Sequence, residues 1–346
     1  MTDIERIRVL HDLQERFDTS QLNLAALEAQ IAAPDKRDNL QRFFAGFKIE
    51  DNCQLVCGCL PWVKLVHGLH ELQIPETSKE EFQVPDYTVF YLTASGVTRP
   101  LVVDTKTATG DKQTLKVGNK QLESSLRYAE TLGVPLLYAI FWAKLGIWTL
   151  NAPDQFKQLS STIKIDMMTA IQNDLAVLLG DVTIINRPDI VRESRWDPSD
   201  KSHDSVHHPE HGALVSDVVI APVHLDLEPL QAAALDAIGL QSPEPHVDEA
   251  DGKRLVVERS EGPTLTKLST LVLRLLALTN MPLEARSSRV GARIIADLAE
   301  QLGMTRSFSI PAARTPTTDL LYKEAFTGSS ILADYESVHG TTSDSA

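Results

Sequence analysis

The chain has 346 residues, 43% of them hydrophobic, and a net charge of -14. At roughly 150 residues per domain this length predicts two domains with connecting structure, and the apolar fraction is enough to bury a core. The negative total excludes a protein that coats nucleic acid by bulk positive charge. It leaves room for a small basic site on an acidic body. No apolar run approaches the roughly 18 residues of a membrane span. The opening MTDIERIRVLHDL carries early acids and lacks the apolar stretch of a signal peptide. Cys53, Cys57 and Cys59 crowd into one helical-looking stretch, which is no disulfide framework. A cytoplasmic protein without a membrane segment is the expectation.

The charge is unevenly spread. Residues 94–146 carry 7 basic and 4 acidic side chains, whereas residues 197–262 carry 4 basic and 14 acidic ones. One short stretch is therefore basic, and most of the acidity sits in the middle of the chain.

In chain order, residues 1–45 read as helical, with apolar residues three or four apart at Ile4, Ile7, Leu10 and Leu13 and again at Leu22, Leu24, Leu27 and Ile31. A second helical run spans Glu50 to Leu69, with Pro61 as a kink or turn start. The pattern then changes to strands. PDYTVFYLT (85–93) and RPLVVDTKT (99–107) flank the turn Ala94-Ser95-Gly96. Residues 117–132 predict a helix with Gly133 as its C-cap. Residues 135–142 and 147–150 predict buried-type strands, 165–180 an amphipathic helix and 182–185 a strand. Residues 186–212 read as a polar loop or linker. Residues 213–223 predict a strand, 228–240 a helix, 242–253 an acidic loop, and 265–280 and 289–302 helices. The end, TTSDSA, reads as disordered.

The chain thus divides into a helical segment (1–45), an α/β domain (46–196), a polar acidic linker (197–212) and an α-rich C-terminal region (213–346). The fold class is α/β, with a mixed central sheet flanked by helices.

The chemistry lies in Asp86 at the start of one strand and Asp104-Thr105-Lys106 at the end of the next. Antiparallel pairing of the two strands brings Asp86 toward Asp104. Two carboxylates at one end of a sheet attract a hard cation such as Mg²⁺. A neighbouring lysine can orient water or stabilise charge developing on a phosphate.

Pro85-Asp86, Asp104-x-Lys106 and the helix carrying Gln121-Leu122 resemble the PD-(D/E)XK nuclease superfamily. With Arg127-Tyr128-Ala129, Gly133-Val134-Pro135, the apolar strand and Trp148, the run is similar to the N-terminal nuclease domain of type I restriction enzyme R subunits. The resemblance covers roughly residues 45–150. It implies a restriction-endonuclease-like fold and a Mg²⁺-dependent endonuclease acting on DNA, with Mn²⁺ as a substitute and a role in defence or restriction. Asp86, Asp104 and Glu50 would hold metal, with Glu71 the alternative to Glu50. Lys106 would position water, and Gln121 would support the site. Gln121 also admits a capping or solvent-facing reading. Lys112, Lys116, Lys120 and Arg127, with Lys144, would contact the nucleic-acid backbone. A protein partner subunit or a homodimer is compatible with the family, and a catalytically silent binding module is the alternative function.

Other patterns read as structural. The cysteine triple lacks paired zinc spacing and reads as core. His203, His207, His208 and His211 with Asp204 read as a solvated tract. Residues 294–308 have helix-turn-helix-like spacing, but Pro311 leaves no room for a recognition helix, and an amphipathic core helix is expected.

Overall fold

A computed structural model describes residues 3–16, 26, 28–69, 73, 75–200, 207–208, 210–239, 246–250, 252–260, 262–279, 281 and 285–339. They form two compact units, residues 1–54 and 55–346.

In the first unit, α1 (Asp3–Arg16) and α2 (Pro34–Asp38) precede α3 (Leu40–Cys59), which continues into the second unit. Pro34 occupies the first turn of α2, where its missing N–H costs nothing. Ile7 and Leu10 share a face of α1 and close with Ile31, Leu40 and Phe47 into a small core.

The second unit opens with β1 (Val63–Gly68), β2 (Tyr87–Leu92), β3 (Thr98–Ala108), β4 (Thr114–Gly118), α4 (Asn119–Leu132), β5 (Leu136–Trp142) and β6 (Ile147–Asn151). The central sheet has the order β1-β2-β3-β5-β6. The β3–β5 pair is parallel and the other pairs are antiparallel, which gives the mixed α/β architecture. The segment joining the parallel strands carries α4, whose Leu122 and Leu126 pack toward the sheet. Gly133 closes the helix at φ 65°, a left-handed position suited to glycine.

β7 (Lys157–Gln158) and β8 (Thr162–Asp166) pair beside β4 in a small sheet of order β4-β8-β7. After α5 (Met167–Gln172) come β9 (Thr183–Ile185), β10 (Val191–Asp197), β11 (His207–His208), β12 (Gly212–Ala221), β13 (Leu225–Asp226) and α6 (Pro229–Ile238). The chain continues through β14 (His246–Ala250), β15 (Lys253–Arg259), β16 (Leu265–Lys267), α7 (Leu268–Thr279), α8 (Ala285–Gln301), β17 (Thr305–Ser307), α9 (Pro316–Phe326) and α10 (Ser330–His339). A second sheet has the order β11-β12-β10-β15-β14, and a third sets β9 between β16 and β17. Helices α6, α7 and α8 pack on one another. The C-terminal region is helix-rich as expected, and it also shares in these two sheets.

Several elements differ from the sequence expectation. The helix read to Leu69 ends at Cys59, and Val63–Gly68 is a strand. Pro61 removes a helix donor, and β-branched Val63 and Val66 suit a sheet. The helix read over 165–180 is a strand end, the short α5 and a tight turn at Ala176–Leu179. Asp166 caps α5 by accepting from Thr169 N at 3.0 Å, and Asp174 Oδ1 accepts from Leu150 N and Ala176 N. The polar loop read over 186–212 contains β10 and β11, and the acidic loop read over 242–253 contains β14 and the start of β15.

The cysteines are buried and, among the described residues, form no disulfide, as expected of core residues. Residues 294–308 hold the end of α8 and β17 rather than two helices. His203, Asp204, Glu71 and the TTSDSA end lie outside the described residues. Among the described residues, no helix is long and apolar enough to cross a membrane.

Candidate active site

The register Tyr87↔Val103 between β2 and β3 places Asp86, one residue earlier, beside Asp104. Thr105 N donates to Asp86 Oδ2 at 2.6 Å. Asp104 is 3% exposed, and its Oδ2 lies 2.6 Å from Lys106 Nζ. That oxygen accepts no well-aligned hydrogen bond, so the contact with Lys106 is chiefly electrostatic. Lys106 also donates to Thr105 O at 3.3 Å. The structure therefore brings Asp86, Asp104 and Lys106 together.

The electrostatics are those of a site short of positive charge. Burial, and then the charge of Asp104, push the Asp86 carboxyl up to about 7, against the opposing pull of Lys106. Even with the Lys106 ammonium beside Asp104, burial and like charge disfavour ionising both carboxylates together. Buried oxygens with spare acceptor capacity fit a hard divalent ion, which takes oxygen ligands.

The sequence reading missed Tyr138. In the parallel β3–β5 register it lies directly beside Asp104, so the two side chains share a face. Its hydroxyl is buried and has no hydrogen-bond partner. Burial and the Asp104 charge raise its pKa. Lys106 Nζ sits 5.8 Å from the centre of its ring. The available signal was a single phenol in the otherwise apolar LLYAIFW.

The remaining candidates are placed differently. Gln121 lies in the first turn of α4, half-buried, and among the described residues no hydrogen bond joins it to the carboxylates. Glu50 belongs to the first unit, where Arg8 Nη1 lies 3.5 Å from its carboxylate.

Lys112, Lys116, Lys120 and Arg127 are all exposed on β4, α4 and the turn before them. Lys144 pairs with Asp111 at 3.0 Å in the open, an interaction worth little. The register adds a row that the sequence did not show. Lys116 lies directly opposite Lys164, and Lys164 directly opposite Lys157. Like charges facing each other across strands are destabilising. An anion laid along that face would relieve the repulsion.

A cavity of about 980 Å³ lies elsewhere, lined by Leu122, Leu126, Leu136, Phe156 and Leu320 among others. It contains none of Asp86, Asp104 and Lys106, and its apolar wall does not suit phosphate.

No family model matches this chain, and no curated protein matches it either. Among solved structures, the chain is similar to a Holliday junction resolvase from Archaeoglobus fulgidus, an archaeal hyperthermophile. The two are 14% identical with a TM-score of 0.29, over 39% of this chain and 96% of that one. The likeness is distant, and the functional reading rests on the geometry above.

Proposed function

We propose that the chain is a divalent-metal-dependent nuclease that hydrolyses phosphodiester bonds of DNA, with Mg²⁺ as the cofactor and Mn²⁺ as a substitute. The observation that carries this reading is the set Asp86, Asp104 and Lys106, Asp104 buried and the others partly so, with acceptor capacity on Asp104 that the protein does not fill. Asp86 and Asp104 would hold the metal. The ion would polarise the scissile phosphate and lower the pKa of bound water. Lys106, released from Asp104, would orient the attacking water and stabilise charge on the phosphoryl oxygens. Gln121 would support the site. Lys112, Lys116, Lys120 and Arg127, joined by Lys164 and Lys157, would contact the DNA backbone and position it without reading sequence. The similarity to restriction-enzyme nuclease domains extends the proposal to a defence role with a protein partner or a second copy.

The test incubates purified protein with single- and double-stranded DNA and RNA, with Mg²⁺ or Mn²⁺, beside Lys106→Ala and Asp104→Asn. Metal-dependent cleavage should fall by about 10³-fold in either variant, on the scale of losing a group that stabilises charge in the transition state. Cleavage surviving unchanged in both, or no cleavage of any substrate by the parent chain, would leave the silent binding module as the reading.

A further inference from the structure

The first unit carries a second cluster whose chemistry differs from that of Asp86 and Asp104. His11 and Asp12 lie on α1, and Asp51 lies on α3. One ligand atom from each falls within 4.8 Å of the other two. His11 is 4% exposed. Its ring is wedged between Phe44 and Phe47, with centroids at 5.6 and 5.7 Å, which fixes the direction of Nδ1.

That nitrogen faces Asp12 Oδ1 at 3.6 Å, too far for a hydrogen bond. Both atoms are buried, and neither has a hydrogen-bond partner. Two orphaned polar atoms pointing at each other are costly unless something sits between them. Arg8 Nε lies 3.6 Å from that same Asp12 oxygen without hydrogen-bonding it, so a metal would displace part of the guanidinium's pairing. That guanidinium is shared among Asp12 at 3.6 Å, Glu50 at 3.5 Å, and Asp51.

We propose that His11 Nδ1, Asp12 and Asp51 form a binding site for a divalent transition metal, with zinc as the best fit. The donor set argues for the class: one imidazole with two carboxylates suits zinc, whereas magnesium prefers an all-oxygen shell. The 3.6 Å between His11 Nδ1 and Asp12 Oδ1 agrees with this. Ligand atoms on tetrahedral zinc, with bonds of about 2.0–2.2 Å, stand roughly 3.3–3.6 Å apart. A cleft of about 370 Å³ in the first unit is lined by Phe47, which packs on the His11 ring, and by Glu50, next to Asp51 in sequence. The metal would tie α1 to α3 within the first unit, and it takes no part in the chemistry assigned to Asp104.

The test uses the full chain, stripped by a chelator and titrated calorimetrically with Zn²⁺ in millimolar Mg²⁺. One equivalent of zinc should bind, with a rise in Tm. Asp12→Asn and Asp51→Asn, both at partly exposed positions, should weaken zinc at least tenfold while keeping the parent circular dichroism. Asp104→Asn should bind zinc as the parent does. In ¹⁵N spectra the His11 Nδ1 resonance should shift on zinc addition. The proposal is overturned if Asp12→Asn and Asp51→Asn bind zinc like the parent, or if Asp104→Asn abolishes the binding. It is equally overturned if His11 responds only to protons, as an ion pair with Asp12 would.

Discussion

Asp86, Asp104 and Lys106 on one side, and Asp174, Asp181 and Lys267 on the other, are each two carboxylates and an ammonium within the same unit. In the second set every charge is answered. Lys267 Nζ reaches Asp174 Oδ2 at 2.6 Å, Asp181 Oδ2 at 2.9 Å and Trp148 O at 2.9 Å. Asp174 Oδ1 also accepts two backbone N–H groups, and Asp181 accepts from Ser269 N and Oγ. The two carboxylates hold Lys267 protonated against its burial. In the first set one backbone N–H and one lysine serve both carboxylates, and a neighbouring phenol is left unpartnered. Residue type does not separate the two clusters. Hydrogen-bond saturation does.

The contrast should be largest in stability. Lys267→Met strands two buried carboxylates and should cost about 3–5 kcal/mol in urea unfolding. Lys106→Met should cost no more than about 1 kcal/mol, because Asp86 takes up a proton instead. Equal losses would erase the distinction. The carboxylates sharpen it by sign. At pH 8, Asp86→Asn should stabilise the metal-free protein by about 1–2 kcal/mol, because it removes a charge that the fold holds at a cost. Asp174→Asn should destabilise it.

The pH response follows the same logic. The folded-state pKa of Asp86 is raised to about 7, so between its ordinary value and 7 the native state binds more protons than the unfolded one. The contribution of Asp86 to metal-free stability therefore falls as pH rises through that window. Mg²⁺ must displace the proton, so its affinity should climb by up to about tenfold per pH unit and level off above 7. Titration calorimetry in buffers of different ionisation enthalpy reads both the affinity and the proton released. The smallest effect is expected in the lysine row. Removing the central Lys164 with Lys164→Ser should lower the slope of log affinity against log salt by about 0.9 on duplex DNA. An unchanged slope would remove Lys164 from the proposed DNA contact.

The juxtaposition of Asp86 and Asp104 was legible in the sequence because the alternating β2, the apolar run of β3 and the turn at Gly96 between them fix their register. Tyr138 was not legible as a site neighbour, because its partner lies across a parallel pairing separated by a helix. Lys267 and Asp174 stand 93 positions apart, and no local pattern links them. The strands β10 and β14 were hidden for another reason. They are rich in charge, and the buried Arg192 on β10 is held by Asp217 at 2.8 and 2.5 Å from the adjacent strand, with Asp236 and Glu258 also paired to it. The lysine row depends wholly on register, which composition does not carry.

The three residues of β9 receive β16 on one edge and β17 on the other, and Leu268 N adds a bond to Val182 O. A fragment ending near residue 196 would leave that short strand with two bare edges, open to pairing with another molecule. The segments that pair with β9 arrive some eighty residues or more after it. β9 is thus one half of a clasp whose other half comes from the C-terminal part of the chain.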